Sequence, residues 1–334
     1  MSAFKTFLIW LLCLSFMGGV AGEERNSVLL PIFGYSDATG AQYGLMNYNY
    51  GIKEGPTIQA IYLQAEKGGR LLAFSLERGF LSPSLSVELG ISSSSFYESF
   101  FGFGNNTTRA NFKQINGSFF NANAALRFYL NPENSLAFGY IKESREEDLG
   151  RNGVSYFPSE TLDGYLLRYV ADSRDIIPNA HSGHYAESEY TFYPHQGGVS
   201  KLILDGRIYW PVGANTLAVR AVAGQLEGNP SFMQYLRLGS STLLRGAGDN
   251  RYIDRALTAL QWEYRAKLWG RLSGVLALEW GRVGDRVSLS DTFHFSKGLG
   301  IRIAFDETEK AQIRFDWSSG EDMGQFFVAF NQAF

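Results

Sequence analysis

Gly324-Gln325-Phe326-Phe327-Val328-Ala329-Phe330-Asn331-Gln332-Ala333-Phe334 is the stretch whose reading decides the fold. Taken as a strand, it sets Phe326, Val328, Phe330 and Phe334 on one face and Gln325, Asn331 and Ala333 on the other, because successive strand side chains point opposite ways. One face can then meet lipid while the other meets a polar lumen, as in a transmembrane barrel. A soluble sheet would leave the same aromatics on an edge strand, where they invite aggregation. An aromatic terminal strand of this kind points to the bacterial outer membrane.

The other end of the sequence agrees. Lys5 is followed by an apolar run from Phe7 to Val20 and by Val20-Ala21-Gly22 before Glu23 and Glu24. This reads as a secretory signal peptide over residues 1–22, cleaved near Gly22. The run is about 14 residues, short of the roughly 20 that a spanning helix needs. Cys13 is the only cysteine and lies inside this segment, so the mature chain, 23–334, has neither disulfides nor thiolate metal sites. Without Lys5 it holds 29 basic residues against 33 acidic ones, which gives no support to nucleic-acid binding.

Aromatics make up 15% of the chain and glycines number 37, yet no later apolar run is long enough for a spanning helix. Hydrophobicity spread over alternate positions has this signature. Sixteen candidate strands start near residues 28, 41, 57, 70, 84, 114, 135, 161, 183, 199, 215, 255, 271, 296, 311 and 325, separated by Gly, Asn, Asp or Pro turns. The fold class is therefore all-β, a 16-stranded antiparallel transmembrane β-barrel, and the even count brings both termini to the periplasmic side.

Loop lengths sort by parity. Connections at Asn131 to Asn134, Pro211 to Gly213 and Trp269 to Gly270 are short, whereas residues 95–113, 146–160 and 226–254 are long. Alternation is sharpest in the second half. Gln261, Glu263 and Arg265 alternate with Leu260, Trp262 and Tyr264, and Glu279 alternates with Leu278 and Trp280. Arg302, Arg314 and Asp316 alternate with Ile301, Ile303, Ile313, Phe315 and Trp317. Charges on a lipid face near mid-depth cost about 2–4 kcal/mol, so these side chains are expected to line a charged, wet lumen. Tyr48, Tyr50, Phe128, Tyr129, Tyr209, Trp210 and Trp269, just before short turns, read as an interfacial aromatic girdle.

The connection before the twelfth strand holds Leu244-Arg245-Gly246-Ala247-Gly248-Asp249-Asn250-Arg251-Tyr252. A loop this long is usually functional, and Arg245 is a natural partner for inward carboxylates, since guanidinium and carboxylate pair as matched forks. Spacing alone leaves open a solvated loop whose arginines touch nothing.

The string LLRGAGDNRYIDRALTALQWEYR resembles the sixth-loop signature of the BamA/TamA superfamily, the bacterial surface antigen barrels. That resemblance implies a long sixth extracellular loop folded into the lumen, with Arg245 and Gly246 at its tip, Arg251 and Tyr252 completing the motif, and Arg245 paired with Glu263 and Glu279. LALEWGRV resembles the family's Asp-x-Gly strand, with Glu279 replacing Asp, and Ala247 stands where the family has an aromatic. Asp172, Arg174 and Asp175, followed by Pro178 and Gly183, resemble its periplasmic turn, and Leu30-Pro31-Ile32 with Gly34-Tyr35 its first strand. Phe101-Gly102-Phe103-Gly104-Asn105 resembles its third loop. The family's periplasmic POTRA domains have no counterpart in the sequence.

The resemblance implies a non-enzymatic protein of the Gram-negative outer membrane, without cofactors, that assists insertion or translocation of polypeptides. Its expected partners are outer-membrane lipids and an unfolded polypeptide client or a separate periplasmic protein. A passive channel or an accessory barrel is the alternative. His181 and His184 have no further ligands at zinc-binding spacing, and no GxSxG nucleophile motif is present.

Overall fold

The computed structural model describes residues 26–36, 40–50, 57–147, 156–177, 179–195, 197–305, 311–321 and 324–334. The expected signal peptide lies outside the described residues, as does Pro178. The strands are β1 (Asn26–Ser36), β2 (Gly40–Tyr50), β3 (Thr57–Ala65), β4 (Arg70–Ser82), β5 (Leu85–Phe100), β6 (Lys113–Tyr129), β7 (Asn134–Glu147), β8 (Glu160–Asp172) and β9 (Gly183–Tyr193). They continue with β10 (Val199–Val212), β11 (Asn215–Glu227), β12 (Leu236–Leu238), β13 (Tyr252–Asp254), β14 (Ala256–Trp269), β15 (Leu272–Gly284), β16 (His294–Ala304), β17 (Gln312–Gly320) and β18 (Gly324–Phe330).

Sixteen of these form one antiparallel sheet in chain order, and β12 and β13 form a ribbon of their own. All sixteen strand starts fall within two residues of those read from the sequence. Simple neighbour-to-neighbour order follows from the short turns, since antiparallel strands need only a tight connection. The first and last strands come within 8 Å at their Cα atoms, but among the described residues no ladder joins β1 to β18, so the barrel is nearly closed.

Outer and inner faces separate as the alternation requires. Leu276, Leu278, Leu299, Ile301, Ile303 and Trp317 are exposed outward, whereas Ala277, Glu279, Arg302, Arg314 and Asp316 are buried inward. Such a continuous apolar exterior is stable only against lipid. Long connections gather on the rim opposite the termini, with one exception: residues 173–182 form a long turn on the terminal rim.

The lumen is not uniformly charged, as had been expected. Leu162, Val199, Leu226, Leu257 and Val283 on the wall pack with Leu236, Leu238, Leu244 and Tyr252 from the connection between β11 and β14 into one buried apolar cluster. Each such leucine contributes about 1.5–3 kcal/mol on burial. The aromatic girdle also needs correction. Phe128, Trp210 and Trp269 are exposed, but Tyr209 points into the lumen and is 2% exposed. Adjacent residues of a strand cannot share a face, so Tyr209 and Trp210 were never able to sit in one belt.

Candidate functional site

β14 to β17 place Gln261, Glu263, Arg265, Glu279, Arg302, Arg314 and Asp316 on one inner wall, all buried. Their registers bring Gln261 opposite Glu279 and Arg302 opposite Arg314. Arg245 enters this cluster from the β11–β14 connection and is 1% exposed. Its Nε meets Glu279 Oε1 at 2.8 Å, its Nη2 meets Glu263 Oε1 at 2.7 Å, and its Nη1 meets Asp316 Oδ2 at 3.1 Å. The backbone N–H of Arg245 donates to the second Glu279 oxygen at 2.5 Å. Each guanidinium nitrogen thus takes a different carboxylate, which the single ammonium of a lysine cannot do.

The rest of the cluster completes the pairing. Arg265 holds the other oxygen of Glu263 at 2.8 Å, Arg302 and Arg314 reach Asp316 at 2.6 and 3.2 Å, and Gln261 donates to Glu279 at 2.7 Å. Buried charges are tolerable only when paired in this way, because removing one partner strands the other in a low dielectric.

Local backbone explains the Arg-Gly pair. Leu244 adopts a left-handed conformation, φ 54°, which turns the chain so that Arg245 points at the wall. A bulky residue held there carries strain of about 1–3 kcal/mol, offset by the contacts that fix it. Gly246 then lies against β16 and β17. Its N–H donates to Ser296 Oγ at 2.8 Å, and a Cβ would meet Gly320 N and Ser296 Oγ at 2.5 Å. Only glycine fits so close to another backbone.

Arg251 and Tyr252 make a separate contact. Arg251 donates to Thr107 Oγ1 and to the Thr107 carbonyl at 2.8 and 2.7 Å, with its guanidinium between Phe101 and Tyr252. Tyr252 stacks on His294 at 3.9 Å. Above this, Phe100, Phe103, Phe157 and Phe232 form an aromatic cluster, with Phe157 and Phe232 stacked at 3.8 Å. These rings gather at the rim opposite the termini.

On the terminal rim, Arg174 grips Asp172 with two 2.8 Å bonds, and Asp175 Oδ1 accepts from the backbone N–H of Ile176, His181 and Ser182. Burial alone would raise the Asp175 pKa, but these donors more than offset it and hold the carboxyl below its ordinary range. The turn leans inward, with His181 Nδ1 3.2 Å from Thr216 Oγ1, while His184 pairs with Ser173 at 2.7 Å.

The terminal-strand reading holds for Phe326, which is exposed, and for Val328 and Phe330, which share its face in register with Trp317, Phe315 and Ile313. It fails for Phe334. The strand stops at Phe330, Asn331 turns left-handed at φ 60°, and Phe334 is buried inside the terminal rim rather than facing lipid. Its ring lies 5.1 Å from the Arg265 guanidinium and 6.5 Å from Tyr209, and its backbone oxygen accepts from Arg265 at 2.8 Å. Asn179 Oδ1 accepts from Gln332 N and Gln312 Nε2, tying this segment to the 173–182 turn.

Sequence reasoning missed Asp316 as the third partner of Arg245, although it had placed Asp316 on the inner face. It also missed Thr107 and the aromatic cluster. The signal for Asp316 was the alternation Arg314-Phe315-Asp316-Trp317.

Fold and lock together define a class: a nearly closed sixteen-stranded antiparallel barrel with an arginine from a long connection set among inner-wall carboxylates. No protein-family model matches the sequence, and no curated protein matches it. Among solved structures it is similar to BamA from Haemophilus ducreyi lacking POTRA domains 1–3, with a TM-score of 0.61 and 11% identity over 92% of this chain and 70% of that one. It is also similar to CdiB from Escherichia coli, TM-score 0.65 at 12% identity over 93% of this chain and 63% of that one. CdiB from Acinetobacter baumannii gives 0.60 at 10% identity over 92% and 58%. This chain therefore spans between 58% and 70% of the length of those structures and shares their barrel fold. The fold implied by the BamA/TamA resemblance is the fold the chain adopts.

Proposed function

We propose that the protein is a Gram-negative outer-membrane barrel that assists insertion or secretion of polypeptides by offering the edge of β1 at its seam. The observation that carries this reading is the mismatch there. β18 has seven residues against eleven in β1, and the chain after Phe330 turns into the lumen instead of continuing beside β1. Part of the β1 edge, towards the terminal and hence periplasmic rim, is left without a last-strand partner. Backbone groups unpaired in lipid are costly, so such an edge favours an incoming strand that supplies the missing hydrogen bonds.

In this reading Arg245 has no covalent role. It braces β14, β15 and β17, the wall on the β18 side of the seam, while the seam opens. Photocrosslinkers at residues 28–37 and 325–334 are expected to capture a nascent outer-membrane client. Absence of crosslinks where a known insertase gives them would overturn the proposal. The passive-channel alternative is opposed by the apolar cluster that the β11–β14 connection forms with the wall and by the aromatic cluster at the rim opposite the termini. Large, steady conductance in planar bilayers, unchanged by Arg245→Ala, would favour it.

A further inference from the structure

On the outer wall, away from the lock, lies an apolar groove of about 780 Å³. Its walls are Leu204, Leu260, Trp262 and Trp280, and its roof is the β15–β16 connection, through Val287, Leu289 and Phe293. The groove is deep because Gly206 and Ala221 on its floor stand in register with Leu260. The roof is fastened at two points. Gln225 donates to the Asp285 carbonyl at 3.1 Å and accepts from Val287 N at 3.0 Å, while Arg282 pairs with Asp291 at 3.0 Å. Leu289 is nonetheless 83% exposed, an unfavourable position for a loop leucine in water.

One polar group breaks the lining. Thr258, directly opposite Arg282 in the ladder, is 8% exposed and lines the groove near its upper end. Its hydroxyl has no hydrogen-bond partner within the protein, a costly state for a buried donor. The oxygen is itself sealed in this rotamer, so rotation about χ1 has to turn it into the groove before an acceptor at the upper end of an otherwise apolar ligand satisfies it.

We propose that this groove binds one fatty-acyl chain of a membrane lipid in the leaflet at the rim opposite the termini, its ester or amide carbonyl accepting from Thr258 Oγ1. The groove opens within the apolar belt and is continuous with the lipid-facing surface, so a lipid chain reaches it without leaving the bilayer. The carbonyl then sits near the rim, and the chain runs inward along Leu260 and Trp262. This rests on the membrane reading of the barrel.

The test uses the full chain in vesicles of phosphatidylethanolamine and phosphatidylglycerol, with a trace of phosphatidylethanolamine carrying a diazirine on one acyl chain. Heat-modifiable gel migration first shows that the barrel has inserted; failure there counts against the membrane reading, not against the groove. In the inserted protein, labelling of residues 256–262 and 287–293 is expected to saturate at one lipid per chain and to be displaced by unlabelled lipid. Labelling around Leu276 and Leu299 should stay unsaturable. Ala221→Phe fills the groove and should cut the saturable label at least about fivefold. Thr258→Val keeps the shape and should weaken it by about fivefold, the usual worth of one hydrogen bond.

Should Ala221→Phe fail to fold, Gln225→Ala, which frees the roof, is expected to make the label exchange faster. Groove labelling that never saturates, or that is unchanged in Ala221→Phe and Gln225→Ala, would overturn the proposal. So would disulfide-linked dimers of Ala221→Cys, which would give this face to a second copy of the chain.

Discussion

The two inner walls of the barrel differ in kind. On β2 to β4 the inward residues are Gln42, Gly44, Met46, Thr57, Gln59, Ile61, Leu63, Ala65, Leu71, Ala73, Ser75 and Glu77, the last the one charge among them. On β14 to β17 they include Glu263, Arg265, Glu279, Arg302, Arg314 and Asp316, all buried. The charged wall needs the rest of the chain to complete it, because its three carboxylates converge on an arginine from a distant connection. The largely neutral wall, next to β1 and the seam, needs no such partner. The two walls flank the seam, the clamped one on its β18 side and the unclamped one on its β1 side.

Arg245→Ala attacks this contrast most directly. It leaves Glu279 with Gln261 and the backbone N–H of residue 245 and no cationic partner, and strips one contact each from Glu263 and Asp316. The expected cost is about 3–5 kcal/mol, read as a lower urea midpoint of the micelle-folded barrel by tryptophan fluorescence. Arg245→Lys should recover only part of the loss, since one ammonium cannot meet three carboxylates at separate nitrogens. Wild-type stability in Arg245→Ala would mean that the charged wall is not clamped at all.

Gly246→Ala tests how close the clamp is. Its added methyl would meet the backbone of Gly320 and the hydroxyl of Ser296, so the tip must retreat from β16 and β17. A loss of about 1–3 kcal/mol is expected in the same titration, with all the charges still present.

Much of this contrast was legible in the sequence, and the reason is periodicity. Where a wall is charged, as in Gln261 to Arg265 or Arg314 to Trp317, polar and apolar residues alternate and the faces can be assigned by eye. On β2 to β4 both faces are largely uncharged, so the pattern marks strands without marking which side is which. Arg245 was tied to Glu263 and Glu279 by resemblance and not by spacing. Asp316, 71 residues from Arg245, joins them only because the curved wall turns the inner face of β17, two strands along from β15, towards the same guanidinium, and that convergence has no local signature. Phe334 was misplaced because one left-handed residue, Asn331, redirects the chain, and a period-two pattern cannot register a single dihedral.

The turn at 173–182 extends the comparison to the terminal rim. Asp175 has its pKa lowered in the folded state, so its stabilising effect is present above the ordinary Asp value, near 3.9, and is lost as pH falls below it. Hydrogen exchange of the Ile176, His181 and Ser182 amides, corrected for the intrinsic pH dependence, should show protection falling from pH 5 to pH 3. Asp175→Asn should flatten that dependence. An unchanged pH profile would separate the turn from the clamped side.

The smallest effect is expected on the neutral wall. Ala73→Glu places a carboxylate on an inner face that is half-buried rather than sealed, where the charge can keep part of its hydration. Its cost should stay below about 1 kcal/mol, in the range of an ordinary surface substitution. The same charge set among Glu263, Glu279 and Asp316 would add like-charge repulsion to desolvation, so the gap between the walls is set by how much water each retains. A loss in Ala73→Glu approaching that of Arg245→Ala would mean that the neutral wall is as dry as the charged one. Freedom near the seam would then have to come from the short β18 alone.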